Sequence, residues 1–246
     1  MGENLIDYTD KEIDLGITMN RTLNFTEHAS SLYSKANQRF GLLKRTCHFV
    51  HSITKKRALY LAMVRSIFEH CPTVWRPSST TIINRLESIQ KRAVKWINAD
   101  YSNSYTFNNL LYYTHCKQLE ILPICHRFDY HDLKLFHLIV HNLSSIKLPP
   151  YLHFFEGRSR LRFTHLDRLS LISDIVPASS VYNYNSNSKR GLNNSYFYRT
   201  HILWNRLPYS LRAIKKPSEF KPKLIDYIWK NLVECDSITS DDEPLD

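Results

Sequence analysis

The sequence predicts a mainly α protein of the α+β class: a short strand or hairpin, then a helical bundle, then a helical and irregular C-terminal region. Three observations lead there. Apolar residues recur at three- and four-residue intervals in several long segments, and prolines and polar turn residues separate those segments. Only 5 glycines stand among 246 residues, too few for a loop-built nucleotide fold. Hydrophobic residues at 43% and charged residues at 23% match ordinary globular values, which argues against wholesale disorder and against a fibrous protein.

Up to about residue 24, short alternating pieces around Leu15, Ile17 and Met19 read as a strand or hairpin. Thr26 is the expected cap of a first helix, whose apolar positions Ala29, Leu32, Tyr33, Ala36, Phe40 and Leu43 form one stripe. Lys35 and Arg39 lie one turn apart and off that stripe. Thr54 is the expected cap of a second helix reaching about residue 70. Its body is apolar almost all round except at Arg65 and Ser66, the pattern of a central helix. Cys71-Pro72 and Trp75-Arg76-Pro77 interrupt the chain before a third helix that starts near Ser79 or Thr80. There Ile82, Leu86, Ile89, Ala93, Trp96 and Ile97 turn inward. Three such helices close a small bundle over residues 25–98.

Residues 98–105 are polar and turn-like, the best internal boundary. A fourth helical region follows, then a long fifth helix over about residues 123–142 with Pro123 in its first turn. Pro149-Pro150 ends that segment. Residues 157–194 are rich in Ser, Asn and Arg and read as irregular, with extended pieces at 160–163 and 181–184. A short helix over 196–207 stops at Pro208, and Ser218 is the expected cap of a last helix carrying Phe220, Leu224, Ile228 and Leu232. This second region covers 106–232, and residues 233–246 read as an acidic disordered tail.

Charge is more informative than composition. Lys plus Arg exceed Asp plus Glu by 33 to 23, a net of +10, and the tail alone holds Asp236, Asp241, Asp242, Glu243 and Asp246. From His28 to Phe68 there is no acidic residue, whereas Lys35, Arg39, Lys44, Arg45, Lys55, Lys56, Arg57 and Arg65 all fall there. A field of one sign favours a polyanionic partner, most simply nucleic acid, against the alternative of a solvated face that serves solubility. Lys55-Lys56-Arg57 oppose the macrodipole at the start of the second helix, at about 0.3–1 kcal/mol each when exposed. A phosphate bound there would reverse that cost; otherwise the repulsion is simply screened by solvent.

The 5 cysteines are scattered without a Cys-x-x-Cys, which reads as reduced thiols in an intracellular compartment, nucleus or cytoplasm. No apolar run approaches the roughly 18–20 residues of a membrane span, and no basic-then-apolar leader is visible, so no membrane partner is expected. Nor does catalysis announce itself. The Asp241-Asp242 pair lies in the polar tail, with no rigid element to hold two metals. His137 and His141, with Cys125 and His126, give one clear ligand pair where a zinc site wants two. Gly157 and Gly191 are isolated from any phosphate-loop context. No catalytic residue, metal or cofactor is therefore expected. Tyr182, Tyr184 and Tyr198 are the candidates for stacking on bases, at about 1–3 kcal/mol each.

An ordered series of motifs adds a family. Asp14-Leu15-Gly16-Ile17, Leu23-Asn24-Phe25, His28, Lys35-Ala36-Asn37 and Gly41-Leu42-Leu43-Lys44-Arg45 come first. Leu59-Tyr60, Val64-Arg65-Ser66, Glu69, Trp75-Arg76-Pro77 and the run from Leu86 to Ala93 follow. Phe197, Arg199, Trp204-Asn205-Arg206-Leu207-Pro208 and Phe220-Lys221 close it. The series, over about residues 10–232, resembles the thumb and C-terminal segment of non-LTR retrotransposon reverse transcriptases, the jockey-like and chicken-repeat-like branches above all.

The resemblance implies that residues 1–24 are a remnant of the palm–thumb junction and 25–98 a thumb-like bundle that holds the primer–template. It also implies that the catalytic palm, with its aromatic-x-Asp-Asp turn, belongs before Asp14. The expectation is then a truncated, catalytically incomplete RNA-directed DNA polymerase relative. Lys35, Arg39, Lys44, Arg45, Lys55, Lys56 and Arg57 would contact the backbone of an RNA–DNA or duplex partner. The alternative is an inert fragment that self-associates through the surface left exposed where the palm would sit.

Overall fold

Two short strands and a chain of helices follow one another in the computed structural model, which describes residues 9–23, 25–77, 79–99, 109–154, 169–173 and 195–238. The protein is mainly helical, with a hairpin ahead of the first helix. It divides into two units, Met1–Asn108 and Asn109–Asp246.

In the first unit, β1 (Lys11–Asp14) and β2 (Ile17–Asn20) pair antiparallel, with Asp14 opposite Ile17 and Lys11 opposite Asn20. Leu15 (φ 47°) and Gly16 (φ 81°) turn the chain with two positive φ values, as a two-residue I′ hairpin requires. Side chains fasten this hairpin to the helices. The Thr18 N–H donates to Nδ1 of the buried His28 (3.3 Å), and His70 Nε2 lies 3.0 Å from the Leu15 carbonyl. Lys11 pairs with Glu27 at 2.8 Å.

Helix α1 (Thr26–Thr46) buries Ala29, Ala36, Phe40 and Leu43, while Leu32 and Tyr33 are half-buried. Its N-cap is Phe25, without a side-chain bond, so Thr26 is a helical residue and not the cap. Helix α2 (Ile53–Tyr60) starts one residue before Thr54. The cap is Ser52, whose Oγ accepts from the Lys55 N–H at 3.4 Å. A π turn (Leu61–Arg65) continues α2 into α3 (Ser66–Glu69). This wider turn brings both Val64 and Arg65 inside, where the Arg65 guanidinium donates to Gln90 and lies 3.3 Å from Glu69. Tyr60 donates to the same Gln90 oxygen at 3.2 Å.

After α4 (Pro72–Trp75), helix α5 (Thr80–Asn98) lays Ile82, Leu86, Ile89, Ala93, Val94 and Ile97 into the core, with Ser79 as its N-cap. Trp75 is fully buried and donates from Nε1 to the His70 carbonyl at 2.7 Å. Helices α1 and α2 both pack on α5.

The second unit holds α6 (Asn109–Gln118), α7 (Ile124–Val140), α8 (Tyr196–Arg206), α9 (Tyr209–Arg212) and α10 (Pro217–Ile238). Pro123 stands just outside α7 as its N-cap, not in the first turn, and Ser218 lies inside α10 rather than capping it. Helix α10 also runs six residues past the expected boundary at 232, so the segment 233–238 is helical and not disordered; residues 239–246 lie outside the described residues. Strands β3 (Leu152–Phe154) and β4 (Leu171–Ser173) form a second antiparallel pair. The extended pieces expected at 160–163 and 181–184 lie outside the described residues.

The core of this unit gathers Leu133, Phe136, Trp204, Leu211, Phe220 and Leu224 from four helices, and the stripe Phe220, Leu224, Ile228 and Leu232 is buried throughout. Each such side chain contributes about 1.5–3 kcal/mol when fully buried. No described helix is long and apolar enough to cross a membrane.

Candidate nucleic-acid interface

Where α1, α2 and α5 meet, the first unit opens into a cleft of about 850 Å³. Helix α1 lines it with Asn37, Phe40, Gly41 and Lys44, spaced by three and four residues so that they share one face. His48 and His51 follow from the connection to α2. Lys56 enters from α2, and α5 adds Arg92, Lys95 and Trp96. None of the described lining residues is acidic.

An aromatic pair organises the cations. Phe40 and Trp96 meet edge to face at 6.2 Å. Lys44 Nζ and the Arg92 guanidinium each lie 5.9 Å from the Phe40 ring centre, and Lys56 Nζ lies 5.3 Å from that of Trp96. Cation–π contacts of this kind contribute about 0.5–1 kcal/mol at exposed sites. Arg92 is held further by Asn37, whose Oδ1 accepts from Nη2 at 2.7 Å, and by the Ser88 carbonyl at 3.3 Å from Nε. Lys56 donates to the Trp96 carbonyl at 3.0 Å.

The seven residues expected to contact a backbone are not one surface. Lys44 and Lys56 line the cleft, but Lys56 is only 5% exposed, so it is not the free surface contact that its place in a basic first turn suggested. Lys35 and Arg39 are exposed on α1, about half a helical turn away from the cleft-lining set. Arg45 is exposed at the C-terminal end of the same helix, where a cation suits the macrodipole. Lys55 is exposed at the start of α2, and Arg57 is half-buried and engaged within the protein.

Sequence reasoning missed Arg92, Lys95, His48 and His51. The spacing of Arg92 and Lys95 on α5 was legible as a row beside the buried stripe, but only the packing of α1 across it makes the row a wall.

The second unit uses its polar groups differently. Arg199 makes a two-point pair with the buried Asp132, at 2.8 Å from Nε and 3.3 Å from Nη2. Arg212 donates to the Leu207 carbonyl and to Ser170 Oγ, both at 2.9 Å. His137 and His141 spend Nε2 on the carbonyls of Ile214 (2.6 Å) and Arg212 (2.9 Å), which fastens the connection between α9 and α10 onto α7. Among the described residues no three His, Cys, Asp or Glu side chains gather as metal ligands. Tyr198 is half-buried against the His201 ring at 5.6 Å, whereas Tyr182 and Tyr184 lie outside the described residues.

No family model, no curated protein and no solved structure matches this chain.

Proposed function

We propose that the chain holds nucleic acid by its backbone, in the manner expected of the thumb and C-terminal segment of a non-LTR retrotransposon reverse transcriptase, and carries no polymerase chemistry of its own. The observation that supports this reading is the convergence of Lys44, Lys56, Arg92 and Lys95 on one cleft whose described lining residues include no acid. Of these, Lys44 and Arg92 are exposed; cations gathered at an open cleft attract phosphate, and phosphate contacts position a nucleic acid without reading its sequence. The exposed Lys35, Arg39, Arg45 and Lys55 extend the positive field around that site and steer a polyanion towards it.

Retention of an RNA–DNA heteroduplex on filters over a series of salt concentrations tests the reading. The logarithm of the binding constant falls linearly with the logarithm of salt, by about 0.9 per phosphate contacted on B-DNA, because bound counter-ions are released. A slope near zero refutes it. Self-association through the hairpin, whose Ile13 and Leu15 are exposed, is the second reading. A mass that rises with protein concentration, with no heteroduplex retained, would favour it.

A further inference from the structure

We infer that the cleft is a receptor for a strand end: the terminal phosphomonoester of an oligonucleotide, with Lys56 as its innermost ligand. This rests on the reading that the first unit binds nucleic acid, and it narrows that reading from backbone in general to one chemical group.

Lys56 carries the argument. Lysine is seldom buried unless paired, yet Lys56 is 5% exposed and lines a cleft with no carboxylate among its described lining residues. An ammonium has three N–H donors, and the acceptor that the described residues offer it is the Trp96 carbonyl. An anion entering the cleft would supply both the missing acceptors and the missing charge.

Shape decides which anion. A duplex carries its phosphodiesters on the outside of a wide rod, with the chain continuing on both sides of each, so they reach the exposed Lys44 and Arg92 but not Lys56, which is sunk in the concavity. A terminal phosphomonoester is attached on one side only, carries about −1.5 to −2 charges and offers three acceptor oxygens. Lys44, Arg92 and Lys95 around Lys56 suit that charge better than the single charge of a phosphodiester. At about 850 Å³ the cleft also has room for the nucleotide that follows the phosphate, since small-ligand sites run to about 300–1,000 Å³. Gly41 leaves the α1 wall bare at this point, for a Cβ there meets nothing within 4 Å.

Fluorescence anisotropy with the full chain tests the inference. One short single strand is compared bearing a 5′-phosphate, a 3′-phosphate or hydroxyls at both ends. At least one phosphorylated strand should bind about tenfold tighter than the hydroxyl form, the effect of one or two charge-assisted hydrogen bonds. Lys56→Met should abolish that preference, so that in the variant all three strands bind alike, whatever its affinity for the hydroxyl strand. Gly41→Leu, which fills the cleft from a wall with open space, should do the same and covers the case in which Lys56→Met fails to fold. Equal affinity for all three strands overturns the strand-end inference and spares the backbone reading. Binding of none of them, together with no salt-dependent retention of heteroduplex, refutes both. If adenosine monophosphate binds as tightly as the phosphorylated strand, the occupant is a free nucleotide and the strand-end assignment falls.

Discussion

Both units bury cationic side chains, but they neutralise them in different ways. In the second unit the Arg199 guanidinium meets both oxygens of Asp132, and Tyr196 donates to the Asp132 carbonyl at 3.0 Å. Arg212 is answered by a carbonyl and a hydroxyl. The first unit treats Arg65 similarly, with Gln90 and Glu69, yet gives Lys56 one carbonyl and the face of the Trp96 ring, beside an open cleft. A buried charge matched inside the protein fastens helices together. A buried charge left facing a concavity is set for something from outside. Net charge cannot separate the two, because all four residues count alike towards +10.

The largest expected effect tests that contrast directly. Asp132→Ala takes the two-point carboxylate partner from the buried Arg199 guanidinium, and removing one partner of a buried pair costs about 3–5 kcal/mol. Urea denaturation should show a loss of that size. Lys56→Met removes a charge that has no buried carboxylate partner and keeps a stem of similar length, so its effect on the urea midpoint should be small or favourable. A loss at Lys56→Met as large as at Asp132→Ala would make Lys56 a structural residue and erase the difference between the units.

Acid should separate the units less sharply. Burial lowers the proton affinity of His28 in the first unit and of His137 and His201 in the second, all below the ordinary histidine value of 6.5. The geometry agrees. His28 Nδ1 accepts an N–H and so is unprotonated, and His137 Nδ1 is buried with no hydrogen-bond partner. Because the unfolded chain binds these protons more readily than the folded one, stability rises with pH between the folded values and 6.5. The contribution is complete above that window and is lost as pH falls through it. Urea midpoints should therefore drop between about pH 7 and pH 5, and His137→Gln should flatten part of that drop. An unchanged slope in His137→Gln would mean that this imidazole is not held neutral by its surroundings.

Much of the fold was legible because apolar spacing is a property of the helix itself. Ala29, Ala36, Phe40 and Leu43 on α1, and Phe220 to Leu232 on α10, are buried where their periodicity places them. The caps were less legible. Thr26, Thr54 and Ser218 each lie one or two positions inside a helix start, where neighbouring backbone and side-chain groups compete for the same few N–H donors.

The site divides in the same way. The acid-free run from His28 to Phe68 pointed to α1 and α2, whose Lys44 and Lys56 do line the cleft. Arg92 and Lys95 stand beyond that run and join the site only through tertiary packing. The inward turn of Lys56 was hidden too, because a lysine in a basic first turn reads as a solvent contact, although it stands four residues before the buried Tyr60 on the same face of α2.

The smallest effect bears on why the cleft is open at all. Glycine inside a helix costs about 0.5–1 kcal/mol relative to alanine. Gly41 sits inside α1, five residues before its C-terminal end, and the two glycines among the described residues, Gly16 and Gly41, both belong to the first unit. Gly16 needs its positive φ for the hairpin turn, but Gly41 is helical and has space for a Cβ. Gly41→Ala should thus raise the urea midpoint, by about 0.5–1 kcal/mol in free energy. A gain locates the cost of this glycine in the backbone, at a point where a bare wall widens the cleft beside Lys44. A loss would mean that atoms close on α1 from the cleft side, and then the cleft would be too narrow to admit a nucleotide beside Lys56.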